Sequence, residues 1–450
     1  MEAAAAEVPS YFLCPISLEI MRDPVTLATG ITYDRSSIER WMFGGGGGGG
    51  DGGKGTCPVT RRQLAPAERE ATPNHTLRRL IQAWCAAHAV ERFPTPRPPV
   101  DSCRVAALVD EGMTTMLGGG GGGGGRQRQL AALREIKAIA AESDRNKRCV
   151  EATPGAVEFL VSVVVQSHAA ASTSARSDDD DLFDSVIDSP MSTSSPEEEA
   201  LGVLYSLKPS EPTLRRVLGK DNGVGFLDTL ASVLRRPSYR SRAYAILLLK
   251  AVTSAMPPER LMAVSPELVE EVVRVVSDGV SSKAVKAALH VLCRLCPWGR
   301  NRVKAVEAGA VAALVELLLD EEDGGGGRGR RAAELAVVAI DHLCGCAEGR
   351  SELVAHPAGL AVVSKRAMRV SPAATESAVR ALHAVARNSA TPAVLQEMLA
   401  VGVVAKLLLV LQADGGERAR ARAREMLRAN ARVWKDSPCL QAHLKASYPS

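Results

Sequence analysis

Apolar and polar residues in the first 45 positions alternate over short runs rather than over long ones. Asp23-Pro24-Val25 followed by Thr29-Gly30 predicts a strand, a turn and a second strand. Asp34 is placed to cap a helix that begins near Arg35 and carries Ile38 and Trp41 on one face. The beginning of the chain is therefore expected to form a small α+β unit.

A second amphipathic helix is predicted after Pro73-Asn74. Its apolar positions recur at three- and four-residue steps, at Leu77, Leu80, Ile81 and Trp84. The proline-rich stretch at residues 94–99 then ends the unit and acts as a semi-rigid spacer.

Beyond residue 100 the pattern changes to a long repeat, in which a glycine or proline is followed by an apolar helix. The starts are Gly155-Ala156-Val157, Gly223-Val224, Ser265-Pro266, Gly309-Ala310-Val311, Gly359-Leu360 and Gly402-Val403-Val404. Without inserts they are about 42–44 residues apart, the period of armadillo or HEAT repeats. Second apolar helices are expected between the starts, for example at residues 284–293, 332–343 and 378–386. Such repeats stack into a right-handed superhelix whose concave groove is a natural protein-binding surface.

Three low-complexity inserts interrupt the repeats, near residues 118–125, 167–197 and 323–329, and are expected to be disordered. The acidic run Asp178–Asp181 is either a phosphorylation-prone insert or a solvated expansion without a function. The predicted domains are residues 8–85, a linker at 86–103 and the repeats at 104–448. The predicted fold class is mainly α, a small α+β unit followed by an armadillo-like α-superhelix.

Composition supports this fold class and narrows the partners. Aromatic residues make up only 4% of the chain, which favours helices packed through small aliphatic side chains. The formal net charge is +4, and the arginine cluster at residues 418–424 has no interleaved aromatics, so a nucleic-acid partner is not expected. No apolar run approaches the ~20 residues of a membrane span. Without a secretory signal or a disulfide framework, a cytoplasmic and also nuclear location is expected.

Few residues are candidates for covalent or metal chemistry. Cys14 lies between Leu13 and Pro15 in an apolar context, which favours a packed side chain over a reactive thiolate. The pairs Cys293/Cys296 and Cys344/Cys346 lie at apolar helices without a second matching pair, whereas zinc requires four ligands. No phosphate-loop, hydrolase or zincin motif occurs, so neither a metal nor a cofactor is expected.

One stretch carries a family resemblance that covers about the first fifth of the chain. Its matching residues are Phe12, Cys14-Pro15-Ile16-Ser17, Glu19-Ile20-Met21, Asp23-Pro24-Val25, Gly30, Thr32-Tyr33-Asp34-Arg35, Ile38, Trp41, Cys57-Pro58, Thr60, Leu64, Pro73-Asn74, Thr76-Leu77-Arg78, Ile81 and Trp84-Cys85. The stretch resembles the U-box, the metal-free relative of the zinc-binding RING domain. A RING needs about eight Cys or His ligands, and residues 1–100 offer only five Cys or His, none in a CxxC or HxxC pair. The remainder resembles the armadillo repeats of plant U-box ubiquitin ligases.

The resemblance implies an E3 ubiquitin ligase that forms no covalent intermediate of its own. Ile16, Leu18, Trp41 and Pro58 would bind a ubiquitin-charged conjugating enzyme, and Arg61 would orient the thioester. The alternatives are core positions for Ile16 and Trp41 and a solvated arginine for Arg61.

The resemblance also implies a polar network and a set of partners. Asp23, Asp34, Arg35 and Asn74 would replace the zinc sites by hydrogen bonding. The implied partners are a conjugating enzyme, ubiquitin and a protein substrate in the armadillo groove, with a U-box homodimer left open. A role in stress or defence signalling is implied as well.

Two rival functions remain at this point. The first is a non-catalytic adaptor with a degenerate U-box, favoured by the unusually long glycine tract between Trp41 and Cys57. The second is an importin-like carrier, which would need repeated Trp and Asn along the groove. Beyond residue 100 only Trp298 and Trp434 are present, which disfavours the carrier.

Overall fold

The computed structural model describes residues 8–43, 55–88, 101–117, 123–174, 195–219, 222–320, 327–413 and 416–435, with positions 438 and 441. The glycine tract at 44–50, the proline-rich stretch at 94–99 and the acidic run at 178–181 lie outside these ranges. The chain divides into two compact units, one of Met1–Arg104 with Ala138–Cys149, the other of Val105–Lys137 with Val150–Ser450. The predicted fold class, mainly α with a small α+β unit first, is confirmed.

A three-stranded antiparallel sheet and two helices make up the N-terminal unit. The strands are β1 (Pro24–Thr26), β2 (Thr32–Asp34) and β3 (Thr72–Pro73), with β1 in the centre. Val25 lies opposite Tyr33 on one side and Pro73 on the other. The helices are α1 (Arg35–Phe43) and α2 (His75–Ala87). The strand, turn and strand predicted around Gly30 are confirmed, and Gly30 has a φ of +77°, a conformation that glycine adopts readily.

Local chemistry explains the start and the packing of α2. The Asn74 side chain caps the helix by accepting a hydrogen bond from the Leu77 amide at 3.0 Å. Ile81 and Cys85 are buried and Trp84 packs against the core. Leu80, predicted on the same apolar face, is instead 53% exposed, because it lies at the edge of the stripe formed by residues 77, 81, 84 and 85.

The described residues of the second part of the chain form a succession of helices. Their bounds are α3 (Ser102–Leu117), α4 (Gly123–Glu142), α5 (Asp144–Ala152), α6 (Ala156–Ser174), α7 (Pro196–Leu207), α8 (Glu211–Gly219), α9 (Asn222–Arg235), α10 (Tyr239–Ala255), α11 (Pro258–Met262), α12 (Pro266–Ser277), α13 (Ser282–Leu295), α14 (Gly299–Glu307), α15 (Ala310–Asp320), α16 (Gly327–Leu343), α17 (Ala347–Ala355), α18 (Gly359–Arg366), α19 (Pro372–Asn388), α20 (Pro392–Ala400), α21 (Val403–Gln412), α22 (Glu417–Ala429) and α23 (Ala431–Trp434). The edges of the three inserts differ from the expected disorder, since helices occupy residues 123–125, 167–174, 196–197 and 327–329.

From α8 onward the helices form repeats of three, in which the third helix is the longest in each. The groups are α8–α10, α11–α13, α14–α16, α17–α19 and α20–α22. Successive third helices α7, α10, α13, α16, α19 and α22 pack on one another and are called the third-helix ladder. Gly309 and Gly402 begin their second helices with φ values of +78° and +77°, so the predicted turns are confirmed at these starts. Asn301 is fully buried and ties neighbouring repeats together by donating to the carbonyls of Leu261 and Leu295.

Candidate functional site

Two loops of the N-terminal unit have the same backbone hydrogen-bond pattern. In loop 1 (residues 13–20) the Cys14 amide donates to the carbonyl of Glu19, and the Leu18 amide donates to Cys14. In loop 2 (residues 56–63) the amides of Cys57 and Arg61 make the equivalent bonds, to Arg62 and Cys57. A single β-bridge closes each loop, Leu13 with Ile20 and Thr56 with Gln63.

The two loops also match in backbone conformation. Leu18 and Arg61, each four residues after the cysteine, have φ values of +58° and +56°. This left-handed conformation is costly for residues other than glycine, so the loop closures must compensate for it. Loops 1 and 2 are therefore two copies of one turn.

Adjacent residues of strand β2 hold the sulfur atoms of the two loops. The Asp34 amide donates to Cys14 Sγ at 3.3 Å in loop 1. The Tyr33 hydroxyl lies 3.0 Å from Cys57 Sγ in loop 2, and the Thr29 hydroxyl lies 3.6 Å from the same sulfur. Cys14, Cys57 and Tyr33 are all buried. Cys14 is thus a packed side chain, as expected, but one that also accepts a hydrogen bond.

Hydrogen bonding changes the acidity of the two thiols. Burial acts to raise the pKa of Cys57, but hydrogen bonds from Thr60, Tyr33 and Thr29 outweigh it and lower the pKa to about 6. The pKa of Cys14 is lowered in the same way, by backbone bonds from Asp34, Ser17 and Ile16 against the effect of burial. Burial and the neighbouring Cys57 raise the pKa of the Tyr33 phenol. Tyr33 therefore remains a hydrogen-bond donor at neutral pH, and neither sulfur is accessible to a substrate.

Several apolar side chains on and beside the loops reach solvent. Leu18 is 75% exposed at the end of loop 1, and Ile16 is half-buried against the core. Trp41 on α1 is 41% exposed, and its Nε1 donates to the Thr56 carbonyl of loop 2 at 3.0 Å. Pro58 in loop 2 is half-buried. Trp41 is thus partly exposed at the surface and also holds loop 2 in place through this hydrogen bond. These loop side chains and Trp41 are called the twin-loop face.

Val59 is a surface residue that the sequence interpretation missed. It is 53% exposed and occupies the position in loop 2 that Ile16 occupies in loop 1. The signal was available, because Cys14-Pro15-Ile16 and Cys57-Pro58-Val59 are the same pattern.

The two arginines of loop 2 differ in their surroundings. Among the described residues the Arg61 guanidinium has no hydrogen-bond or ion-pair partner, and the residue is exposed. Arg62 forms an ion pair with Glu68, whose carboxylate also accepts from the Ala65 amide. Only Arg61 is therefore available to a partner molecule.

The residues predicted to replace the zinc sites lie behind the loops. Arg35 Nε donates to Asp23 Oδ2 at 2.6 Å, and Asp34 Oδ1 accepts from the amides of Arg22 and Asp23 at 2.8 and 2.9 Å. Arg78 of α2 adds a contact at 3.8 Å to Asp23. The structure thus brings Asp23, Asp34 and Arg35 together.

Asn74 lies apart from that group and serves the sheet. Its Nδ2 donates to Thr26 Oγ1 at 3.3 Å, while its Oδ1 caps α2. Its backbone amide donates to the Pro24 carbonyl at 2.8 Å. Asn74 therefore links β1 to α2.

No arrangement for metal binding is present in the ranges given above, where no three His, Cys, Asp or Glu side chains are grouped. Burial raises the pKa of Cys293, Cys296 and Cys344 to about 12, as for cysteines packed at or near the core. In the described part of the chain no single helix is long and apolar enough to cross a membrane, and two bent helix pairs reach that length only together.

Comparison with known proteins identifies both units. The U-box domain profile matches residues 8–90, and the profile of the plant U-box protein ARM repeat region matches residues 122–450. The chain is 44% identical to E3 ubiquitin-protein ligase PUB23 of Arabidopsis thaliana, over 98% of this chain and 97% of that protein. It is 43% identical to E3 ubiquitin-protein ligase PUB22 of the same plant, over 99% of both. A designed armadillo repeat protein overlaps 72% of the chain at 16% identity and a TM-score of 0.33.

Proposed function

The chain belongs to the plant U-box E3 ubiquitin ligases with armadillo repeats, and we propose that its twin-loop face binds the ubiquitin-charged conjugating enzyme. The observation that carries this proposal is the pairing of two equivalent loops, each presenting an apolar side chain beside a proline. A small exposed apolar face suits a weak and transient contact. The rival hypothesis of a non-catalytic adaptor is not retained, because the chain is a ligase.

Arg61 is the residue proposed to orient the thioester. Its backbone is in the left-handed conformation, and its side chain is exposed. Five fixed donors allow it to contact carbonyls of the conjugating enzyme and of ubiquitin together. Holding the thioester in one pose accelerates attack by a substrate lysine through orientation alone. With Cys14 and Cys57 buried, neither loop cysteine takes part as a nucleophile.

The test is a ubiquitin-discharge assay with activating enzyme, conjugating enzyme, ubiquitin and ATP. Ile16→Ala and Val59→Ala are each expected to reduce discharge strongly, since they remove equivalent contacts of the two loops. Leu80→Ala is the matched control, because Leu80 is equally exposed but lies on α2. Circular dichroism checks that each variant is folded. Wild-type discharge by both loop variants across a panel of conjugating enzymes would refute the assignment.

Arg61 is tested in the same assay against its neighbour. Arg61→Ala is expected to slow discharge while leaving binding of the uncharged conjugating enzyme unchanged, as an orientation effect requires. Arg62→Ala is the control, since its guanidinium is already paired with Glu68. Equal effects of the two substitutions would argue for a general charge effect instead.

The armadillo repeats are proposed to hold the protein substrate along the third-helix ladder. Stacked repeats present such a continuous surface, and each repeat adds side chains to it. Ubiquitination of a captured substrate should then fail in a ladder variant whose self-ubiquitination is normal. Loss of both activities together would place the defect in the U-box instead.

Pairing of two U-boxes is also proposed. Tyr11 is an exposed aromatic residue that lies outside the twin-loop face and would be covered by a second copy. Light scattering after size exclusion should give twice the chain mass of 47.5 kDa. A monomer at micromolar concentration would remove this proposal.

Family resemblance supports two further proposals, a role in stress or defence signalling and a location in the cytoplasm and the nucleus. Imaging of a fluorescent fusion tests the location. Comparing substrate abundance with and without stress, in plants with and without the protein, tests the role. An unchanged substrate level would refute it.

A further inference from the structure

Two neighbouring helices of the third-helix ladder carry positive charge without any negative charge of their own. Their basic residues are Arg240, Arg242 and Lys250 on α10 and Lys283, Lys286 and Arg294 on α13. Neither helix contains Asp or Glu. The two helices pack directly on each other, so their charges share one part of the ladder. These six residues are called the basic segment.

Acidic residues on the flanking helices are already engaged. On α7, Glu198 accepts from the Ser241 hydroxyl at 2.8 Å and Glu199 pairs with Lys137 at 2.5 Å. On α16, Glu334 pairs with Arg331. Glu198 and Glu199 also interact electrostatically with Arg240, so they partly neutralise the end of the basic segment next to α7.

The middle of the basic segment has cations without partners. Among the described residues neither Lys250 nor Lys286 has an ion pair or a side-chain hydrogen bond, and both are half-exposed. Between α10 and α16, burial together with Lys250 and Arg331 lowers the pKa of His290, which reports a positive local potential. Such a surface attracts carboxylates. The other four residues of the basic segment have partners. Arg242 pairs with Asp278 at 2.5 Å, Arg294 donates to the Ser254 carbonyl at 3.5 Å, and Arg240 and Lys283 donate to tyrosine hydroxyls.

At one end of the basic segment lies a pair of stacked tyrosines. The rings of Tyr205 on α7 and Tyr244 on α10 are 4.9 Å apart and inclined by 25°. Lys283 Nζ donates to the Tyr205 hydroxyl, and Arg240 Nε donates to the Tyr244 hydroxyl at 3.1 Å, so both cations lie at the hydroxyl edges of the rings. Each ring covers one face of the other, and the two hydroxyl groups hold two cations of the basic segment at this end.

We propose that the basic segment, with the Tyr205–Tyr244 pair at its end, binds an acidic, extended segment of the protein substrate. This inference rests on the proposed function of the armadillo repeats and adds the chemical class of what they select. Carboxylates of the segment bind Lys250 and Lys286, and its backbone lies along α10 and α13. One end of the acidic stretch lies beside the tyrosine pair.

The test measures binding of a fluorescein-labelled twelve-residue peptide to the full chain by fluorescence anisotropy. The peptide alternates Glu with Ala and contains one Lys, and its control has Gln for every Glu. The acidic peptide is expected to bind at least tenfold more tightly, a difference of about 1.4 kcal/mol. The expected effect of Lys250→Glu/Lys286→Glu is a loss of at least tenfold in affinity for the acidic peptide. Lys406→Glu on α21, outside the ladder, is the matched control and should bind normally.

Each further outcome has a defined meaning. Equal binding of the Glu and Gln peptides, or normal binding by Lys250→Glu/Lys286→Glu, would overturn the proposal. Tighter binding of a single-stranded RNA of equal length would assign the segment to nucleic acid and overturn it as well. Peptide binding that requires prior replacement of Asp178–Asp181 by Asn would assign the segment to the chain's own acidic run instead.

A second readout separates this inference from the proposed function. In a mixture of activating enzyme, conjugating enzyme, ubiquitin and ATP, the chain should ubiquitinate the lysine of the acidic peptide in preference to the lysine of the Gln peptide. The double variant should lose that preference but keep self-ubiquitination, since its U-box is unaltered. Absence of all ubiquitination would refute the docking role of the twin-loop face, whereas self-ubiquitination without peptide preference would refute only the acidic-segment inference.

Discussion

Replacement of Tyr33 by Phe tests whether strand β2 holds loop 2 in place. The substitution removes one hydroxyl and keeps the buried ring, so no large cavity forms. Cys57 Sγ then loses its 3.0 Å contact and keeps the hydrogen bonds from Thr60 and Thr29. Removing one partner of a buried hydrogen bond costs about 1–3 kcal/mol. The free energy of opening loop 2 should fall by that amount, which speeds amide exchange there about 5- to 150-fold.

Hydrogen exchange read by mass spectrometry measures this opening directly. The amides of Cys57 and Arg61 close loop 2, and those of Cys14 and Leu18 close loop 1. Peptides covering residues 55–64 should lose protection, while those covering residues 13–20 should keep it. Tyr11→Phe is the matched control, because Tyr11 is exposed and its hydroxyl is not buried. Ubiquitin discharge should slow in parallel with the loss of protection in loop 2.

Two results would refute this reasoning. Unchanged exchange at residues 55–64 would mean that the Tyr33 hydroxyl does not hold loop 2. Equal loss of protection in both loops would mean that the substitution loosens the whole unit rather than one loop.

Three further predictions concern stability. Gly309→Ala should lower the free energy of unfolding by about 1–2 kcal/mol, because φ is +78° and no atom lies within 4 Å of the added Cβ. Gly359→Ala should cost more, because its Cβ would lie 2.0 Å from a backbone carbonyl oxygen. Urea unfolding followed by circular dichroism compares the two variants, and equal costs would contradict the geometry. The pKa of Cys57 falls from 9.0 to about 6 on folding, so the stability that the Cys57 thiolate contributes is fully present above pH 9 and is lost as pH falls through 6. The melting temperatures of wild type and Cys57→Ser should therefore depend differently on pH in that window. Parallel pH profiles would contradict this prediction. Asp341→Ala should lower the free energy of unfolding by about 1–3 kcal/mol in urea, because both oxygens of its buried carboxylate accept from Arg380 Nε, at 2.8 and 2.7 Å. The Arg380 guanidinium is half-exposed and can be hydrated when its partner is removed. A cost near zero would show that the pair does not stabilise the fold.

Features that depend on neighbouring residues were predictable from the sequence. The turn at Gly30 and the start of α2 after Asn74 follow from local backbone chemistry. The cap predicted at Asp34 is not among the hydrogen bonds of the described residues; the Asp34 carboxylate accepts instead from the Arg22 and Asp23 amides and from the Ser36 hydroxyl. The repeat starts at Gly309 and Gly402 follow from one residue type in a fixed context. The first helix of each repeat was missed, because α11 has only five residues and α14 is mostly polar, so neither shows an apolar period.

Features that depend on distant residues could not be predicted. The contact between Tyr33 and Cys57 spans 24 residues, and neither residue signals it locally. The left-handed backbone at Leu18 and Arg61 contradicts the preference of both residue types, so only the closed loop explains it. The strand Thr72–Pro73 is two residues long at a sheet edge, where proline is tolerated but leaves no pattern.

Because Tyr33 and Asp34 are consecutive, a single peptide unit of β2 separates the contact to loop 2 from the contact to loop 1 and fixes the spacing of the two loops. The separation of the two loops is set by covalent geometry, the Asp34 amide and the Tyr33 side chain, rather than by the chain that connects the loops. The glycine-rich connection between Trp41 and Cys57 can therefore change in length among related ligases without changing that separation. An insertion between Tyr33 and Asp34 would change that separation. Successive residues of a strand face opposite sides, so one extra residue would point one of the two sulfur contacts away from its loop.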